Sequence, residues 1–160
     1  MRWKVSLVAV ALAVAALGGC GQQESETDDS AVQKQQARED SVRIAEEMFD
    51  AAVFDTITWE SDEVRIGRGS VVYNSSCIKC HGVSGGGNGD MAMAREIKVP
   101  SFLAPEWEYA GDVDALRHRV YVGYSGHMPN WGLVGLKYRD IDAVAVYLAE
   151  KMSPAETTQQ

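Results

Sequence analysis

Residues 77 to 81 read Cys77-Ile78-Lys79-Cys80-His81, and this stretch decides the fold. The pattern C-x-x-C-H is the one by which a haem is attached covalently. The two thiols form thioethers to the haem vinyl groups, and the adjacent imidazole binds the iron as proximal ligand. Three residues are close to one 3.6-residue turn, so a helix brings both thiols and the imidazole to one side. The sequence therefore predicts one covalently bound haem c and an electron-handling chain.

Two other uses of a C-x-x-C pair fit less well. A tetrahedral zinc site needs four ligands, and the other histidines, His118 and His127, lie nine residues apart where zinc patterns use about three to five. A thioredoxin-like dithiol would need a βαβ context and a solvent-poised thiol. No alternating strand pattern surrounds these cysteines.

The N-terminus predicts export and lipid attachment. A basic start, Met1 to Lys4, precedes an apolar run from Val5 to Leu17, which is shorter than the roughly 20 residues of a membrane span. We interpret residues 1–19 as a signal peptide. The four residues Leu17 to Cys20 resemble a bacterial lipobox, which implies that Cys20 carries acyl chains holding the protein to a bacterial membrane, exposed to the periplasm or outer face. The alternative is an ordinary signal peptide with an incidental cysteine.

Cysteine count and charge agree with this assignment. The three cysteines are all used, Cys20 for lipid and the other two for haem, so none is left for a disulfide. Without residues 1–19 the chain has 13 basic and 23 acidic residues, a net charge of −10. Such a surface argues against nucleic acid as a partner and favours redox partner proteins with a basic face.

The mature chain divides into an arm, a compact domain and a tail. We expect a lipid-anchored tether and apolar arm over residues 20–58, a haem-binding domain over 59–153 and a flexible tail over 154–160. Gly21 to Ser30 is polar and acidic and predicts a flexible segment. Apolar residues then recur at helical spacing, among them Val42, Ala45, Met48 and Phe49. This arm either packs on its own domain or lies against another subunit.

The domain is predicted to be all-α, with three main helices around the haem. Ser61 can cap the first, which runs through Val64 to about Asn74, and Gly67 and Gly69 within it suggest a close helix crossing. Asp112 can cap a second helix that Gly123 closes, and Tyr138 to Met152 forms a third with one apolar stripe. A shorter helix is expected over Asp90 to Lys98, ahead of Pro100.

A sixth iron ligand distinguishes an electron carrier from a haem that binds small molecules. The domain offers four methionines, Met91, Met93, Met128 and Met152. We favour Met128, because Met91 and Met93 follow the proximal histidine too closely and Met152 sits on the apolar stripe of the last helix. Glycines around Met128 let backbone approach the porphyrin. His127 is the main rival, His118 a weaker one, and Met128 could also serve packing alone.

Taken together, these motifs resemble a class I c-type cytochrome. The resemblance rests on Cys77-x-x-Cys80-His81-Gly82, the glycine-rich Gly85 to Asp90, Pro100, Gly126-x-Met128-Pro129 and Val144 to Leu148. It implies His81 and Met128 as iron ligands and a hydrogen bond from His81 Nδ1 to the carbonyl of Pro100. The interval from His81 to Pro100 is longer than in the smallest members of that family. Candidate contacts to the haem propionates are Trp131, Tyr124, Arg117 and Arg119.

A narrower resemblance is to the lipid-anchored monohaem cytochrome c subunit of bacterial alternative complex III, a quinol-oxidising respiratory complex. The lipobox, the long arm and the glycine-rich stretch carry it, and none of these is unique to that subunit. A free lipoprotein cytochrome and an oxidase-associated cytochrome share most of them. The resemblance implies one-electron transfer within a membrane respiratory complex and no substrate bond broken. A haem enzyme or ligand sensor with a displaceable sixth ligand, and a passive structural subunit, are the alternatives of other classes.

Overall fold

The computed structural model describes residues 23–153, and within them the chain is helical without a strand. The predicted all-α fold class is therefore confirmed. The predicted signal peptide, Cys20 and the tail 154–160 lie outside the described residues. The helices are α1 (Gln23–Met48), α2 (Ala52–Asp55), α3 (Asp62–Val72), α4 (Ile78–His81), α5 (Asp90–Ala94), α6 (Val113–Val122), α7 (Trp131–Val134) and α8 (Tyr138–Tyr147).

Helix α3 begins at the predicted cap. The Ser61 hydroxyl accepts a hydrogen bond from the Val64 amide (3.3 Å), and Asp62 and Glu63 occupy the first turn. The helix does not stop near Asn74 as predicted, because a π-helical turn over Tyr73–Cys77 carries it on into α4. The haem motif therefore lies on an extension of α3.

The main packing contact of the fold is between α3 and α8. The crossing occurs at Gly69, where an added Cβ would lie 2.6 Å from the Cβ of Tyr147. The predicted close crossing is thus confirmed for Gly69. It is wrong for Gly67, since nothing lies within 4 Å of a Cβ placed there.

Helices α6 and α8 follow their sequence signals. The Asp112 carboxylate accepts from the Ala115 amide (2.9 Å), and α6 ends at Gly123, whose φ of 76° suits glycine. Helix α8 continues through a π-helical turn over Leu148–Met152, and its apolar stripe is buried: Ile141, Val144, Leu148 and Met152. Helix α5 is shorter than predicted, because Arg95 leaves helical geometry and Glu96 adopts a positive φ of 53°.

The arm packs back on its own domain. Helix α1 begins at Gln23, so the flexible segment predicted up to Ser30 is wrong from that residue onward. Ala45 is fully buried, and the Phe49 ring meets the rings of His118 (4.8 Å) and Tyr121 (5.4 Å) edge to face. Glu46 pairs with His118 at 2.7 Å. The end of the arm is therefore joined to α6 through apolar and polar contacts.

None of the helices within residues 23–153 combines the length and apolar character needed to cross a bilayer.

Candidate haem-binding site

The motif residues share one helical segment. Cys77 ends the π-helical turn, while Cys80 and His81 belong to α4. All three are partly buried, and both thiols are free. The helix ends immediately after the imidazole, where the Gly82 amide donates to the carbonyl of Ile78 (2.8 Å). The structure thus brings two thiols and one imidazole together as the spacing predicted.

The His81 imidazole has no hydrogen-bond partner at Nδ1, a buried atom, among the described residues. Its ring stacks on Phe102, with centroids 4.5 Å apart and planes 23° from parallel. Burial lowers the pKa of His81 to about 4, so the ring is neutral at pH 7. A neutral imidazole in an apolar setting keeps a nitrogen lone pair for a metal.

The environment of the thiols differs from that of a redox dithiol. Burial, and to a smaller extent the neighbouring Cys80, raises the pKa of Cys77 to about 12. Reactive dithiols of the thioredoxin type have a lowered thiol pKa and an electropositive, partly exposed setting. The structure therefore argues against the dithiol interpretation of this pair.

A glycine-rich loop closes around the end of α4. The Gly87 amide donates to the carbonyl of His81 (2.9 Å), and the Gly89 amide donates to that of Cys80 (3.1 Å). A Cβ at Gly89 would lie 2.6 Å from the Ile78 carbonyl oxygen, so only glycine allows this approach. The buried hydroxyl of Tyr73 donates to the carbonyl of Gly82 (2.5 Å). These bonds fix the end of α4, and with it the position of His81.

The predicted hydrogen bond from His81 to Pro100 is not formed in this structure, because Nδ1 has no partner. The Pro100 carbonyl instead lies beside Gly87, 3.3 Å from where a Cβ would be. Phe102, two residues further on, contacts the imidazole face. Sequence reasoning missed Phe102, because an aromatic residue in an irregular loop has no periodic signal.

Met128 lies in a loop 47 residues after His81 in the sequence. The Tyr124 amide donates to the Met128 carbonyl (3.0 Å), which closes the loop. The Met128 side chain is half-buried and packs against the same core as Cys77 and Ile78.

The rival ligands are placed differently. Met152 is buried within the core and Met93 is 67% exposed. The His127 side chain is exposed, and the His118 ring is held by Glu46 and Phe49 of the arm. Met128 is thus a half-buried thioether beside the core, while both histidines are turned to solvent or to the arm.

The four side chains that we predicted to contact the haem propionates lie in different environments. The Arg117 guanidinium is bonded to Asp142 and to Asp114 (2.6 Å), so its prediction as a propionate contact is not supported. Arg119 bonds the Tyr109 hydroxyl and the carbonyl of Gly123. Trp131 begins α7 and packs half-buried against the core, and the Tyr124 side chain is largely exposed.

Asp142 is a buried acid that sequence reasoning missed. It accepts hydrogen bonds from Trp59 Nε1 (2.7 Å), from Arg65 (2.5 Å) and from Arg117 Nε (3.0 Å). Burial alone would raise the pKa of Asp142, but these donors bring it below its ordinary value. A single acid within the apolar run from Ile141 to Leu148 was the available signal.

The donor set fits a covalently held haem. Two free thiols lie one turn apart, an imidazole follows them on the same helical segment, and a thioether lies against the same core. Thiols, imidazole and thioether are the groups that hold haem in c-type cytochromes.

Comparison with known proteins agrees with this chemistry. Residues 64–148 match the family described as cytochrome c oxidase, cbb3-type, subunit III. The chain is 31% identical over 94 residues to the cbb3-type cytochrome c oxidase subunit CcoP of Rhodobacter capsulatus, covering 55% of this chain and 30% of that protein. It is 32% identical over 81 residues to subunit FixP of Bradyrhizobium diazoefficiens, covering 51% and 26%. The chain therefore spans under a third of the length of these relatives. No solved structure matches it.

The family match covers nearly all of α3, the haem motif, α6 and the whole of α8, which is more than half of the chain. The chain therefore belongs to the cytochrome c oxidase, cbb3-type, subunit III family and is a class I monohaem c-type cytochrome with one covalently bound haem c.

Proposed function

We propose that this chain transfers single electrons through one haem c, which Cys77 and Cys80 would hold by thioether bonds and His81 and Met128 would hold as iron ligands. The observation that carries the proposal is that two free thiols, Cys77 and Cys80, and the His81 imidazole lie together on one helical segment. When bound, the haem supplies an iron that cycles between its ferrous and ferric states.

The chain's own residues shield and orient that centre. Phe102 covers one face of the His81 ring, and the bonds from Gly87 and Gly89 fix the helix end that carries it. A thioether from Met128 would close the coordination sphere and raise the reduction potential, as suits a carrier. The exposed side chains of Tyr124 and His127 border the loop where we place the electron exit.

Spectroscopy of two neighbouring variants tests the sixth ligand. Met128→Ala is expected to remove the methionine-to-iron charge-transfer band of the ferric protein and to open the ferrous protein to carbon monoxide. His127→Ala, the matched control at the adjacent exposed position, is expected to change neither. Rapid and complete carbon monoxide binding by the unmodified protein would contradict Met128 as ligand and favour the enzyme or sensor class.

We also propose that residues 1–19 are a signal peptide and that Cys20 is lipidated. The lipobox-like Leu17 to Cys20 supports this, and these residues lie outside the described part of the chain. Cys20→Ser is expected to move the protein from the membrane fraction to the soluble fraction. Retention in the membrane without any bound acyl chain would show another mode of attachment.

We propose that the chain is a subunit of a membrane respiratory complex, and two complexes are candidates. The relatives are subunits of cbb3-type cytochrome c oxidases by name, which supports an oxidase-associated cytochrome. The lipobox, the arm and the glycine-rich stretch support a subunit of alternative complex III. Purification from detergent-solubilised membranes, with mass spectrometry of the chains that co-purify, separates them. Recovery of this chain alone would favour a free lipoprotein cytochrome.

A further inference from the structure

Helix α1 holds both ends of the loop that contains Met128. The loop, residues 123–130, is here called the Met128 loop. Before the methionine, Arg38 Nε of α1 donates to the carbonyl of Ser125 (2.9 Å). After it, the Asn130 side-chain amide donates to the carbonyl of Ser41 (3.0 Å). The two bonds leave α1 within one turn of each other and reach the loop on either side of Met128.

The guanidinium of Arg38 is positioned for this contact. It is half-buried, and its Nη2 donates to Gln35 Oε1 (2.6 Å) on the preceding turn of α1. A charged donor makes a stronger hydrogen bond to a carbonyl than a neutral donor does. Arg38 is therefore the stronger of the two attachments.

Apolar packing between α1 and the Met128 loop is incomplete. An open pocket of about 220 Å³ lies between them, lined by Arg38, Ser41 and Val42 on one side and by Met128 and Pro129 on the other. Open space beside a side chain removes the close contacts that would otherwise hold it. The hydrogen bonds from Arg38 and Asn130 therefore matter more for the attachment of the loop to α1 than they would beside close apolar packing.

We propose that α1 keeps the Met128 loop closed, with Arg38 and Asn130 as positioning residues for Met128. The inference rests on the proposed function, since it takes Met128 as the sixth iron ligand. An added ligand such as imidazole must displace Met128, which requires the loop to open. Its apparent affinity therefore scales with the open fraction of the loop. Weakening either hydrogen bond should raise that fraction.

Imidazole titration of the ferric, full-length holoprotein in detergent tests the proposal, with the methionine-to-iron charge-transfer band as the signal. Arg38→Gln is expected to bind imidazole on the order of fivefold more tightly than the unmodified protein. Asn130→Ala, which leaves α1 unchanged, is expected to bind it about threefold more tightly. Arg38→Lys should restore part of the difference, because an ammonium can still donate to the Ser125 carbonyl.

Arg43→Gln is the matched control. Arg43 lies on the same helix and pairs with Asp40 (3.5 Å) and Glu47 (2.9 Å) at the exposed surface, so its loss removes the same charge without touching the loop. One outcome would overturn the positioning role of α1 and leave Met128 as the sixth ligand. In it, the unmodified protein has the charge-transfer band, but Arg38→Gln and Asn130→Ala bind imidazole no more tightly than Arg43→Gln does. Absence of the band from the unmodified protein would overturn the sixth-ligand assignment as well.

Discussion

Gly69 of α3 lies directly against the backbone of Ala143 in α8, and this contact sets how closely the two main helices of the fold approach. A Cβ at position 69 would stand 2.6 Å from the Tyr147 Cβ and 2.8 Å from the Ala143 carbonyl carbon. Neither neighbour can turn aside, because one is backbone and the other is fixed to it.

Gly69→Ala is expected to destabilise the holoprotein by about 2 kcal/mol, since the helices must separate to admit the methyl group. Gly67→Ala is the control on the same helix. Its methyl group meets nothing within 4 Å, and alanine gains up to about 1 kcal/mol in helix propensity. Denaturant unfolding monitored by circular dichroism measures both. Equal effects of the two variants would contradict the close crossing.

Asp142→Asn is expected to cost about 3 kcal/mol of unfolding free energy at pH 7, because it leaves Arg65 and Arg117 without their buried anionic partner. Asp140→Asn on the same helix is the control. Its pair with Arg68 (2.8 Å) is at the surface, so its loss should cost under about 1 kcal/mol.

The buried carboxylate of Asp142 also predicts that the free energy of unfolding depends on pH. The pKa of Asp142 is lowered in the folded state, so its contribution is present above the unfolded pKa of about 3.9. That contribution is lost as the pH falls through the lower, folded pKa. The unfolding free energies of the unmodified protein and of Asp142→Asn should therefore converge below about pH 4. A constant difference from pH 7 to pH 3 would contradict the assignment.

Phe49→Ala is expected to loosen the arm, because the ring is the apolar contact of the arm with both His118 and Tyr121. Truncation of a partly buried phenylalanine should cost about 2 kcal/mol of local stability. Faster amide hydrogen exchange in α1, with unchanged exchange in α8, is the expected result. The adjacent Met48 is 58% exposed, so Met48→Ala should leave exchange in α1 nearly unchanged.

Tyr73→Phe is expected to destabilise the protein by about 1.5 kcal/mol, because it leaves the Gly82 carbonyl without its donor in the interior. Burial raises the pKa of Tyr73, so the phenol stays protonated and donates over the whole working pH range. Tyr147→Phe removes a hydroxyl from the ring packed 5.8 Å away and should have a smaller effect. A comparable loss of unfolding free energy in both variants would contradict the role assigned to the Tyr73 hydroxyl.

The sequence could predict the features that depend on residues close to one another along the chain. Ser61 and Asp112 cap helices through amides three residues ahead, and the apolar stripe of α8 follows from periodicity alone. The haem motif is equally local, since its three groups are placed by one helical turn.

Contacts between distant segments could not be predicted. Arg38 reaches Ser125 across 87 residues, and Trp59 reaches Asp142 across 83, so no local pattern records either partner. Gly67 and Gly69 look alike in sequence and differ only because α8 passes over one of them. The sequence indicates which residue types would hold the haem, whereas the supporting contacts, such as Phe102 on His81, depend on tertiary packing.

Because α1 is one continuous helix, its length sets two quantities together: the distance of the haem domain from the start of the helix, and the direction in which the domain faces around the helix axis. About 22 Å of helix separates Gln23 from Arg38, where α1 meets the Met128 loop. One residue inserted into that stretch would raise the domain by about 1.5 Å and also turn it by about 100°. If Cys20 carries the lipid anchor as proposed, a change in the length of this helix would change the direction in which the haem domain faces at the membrane.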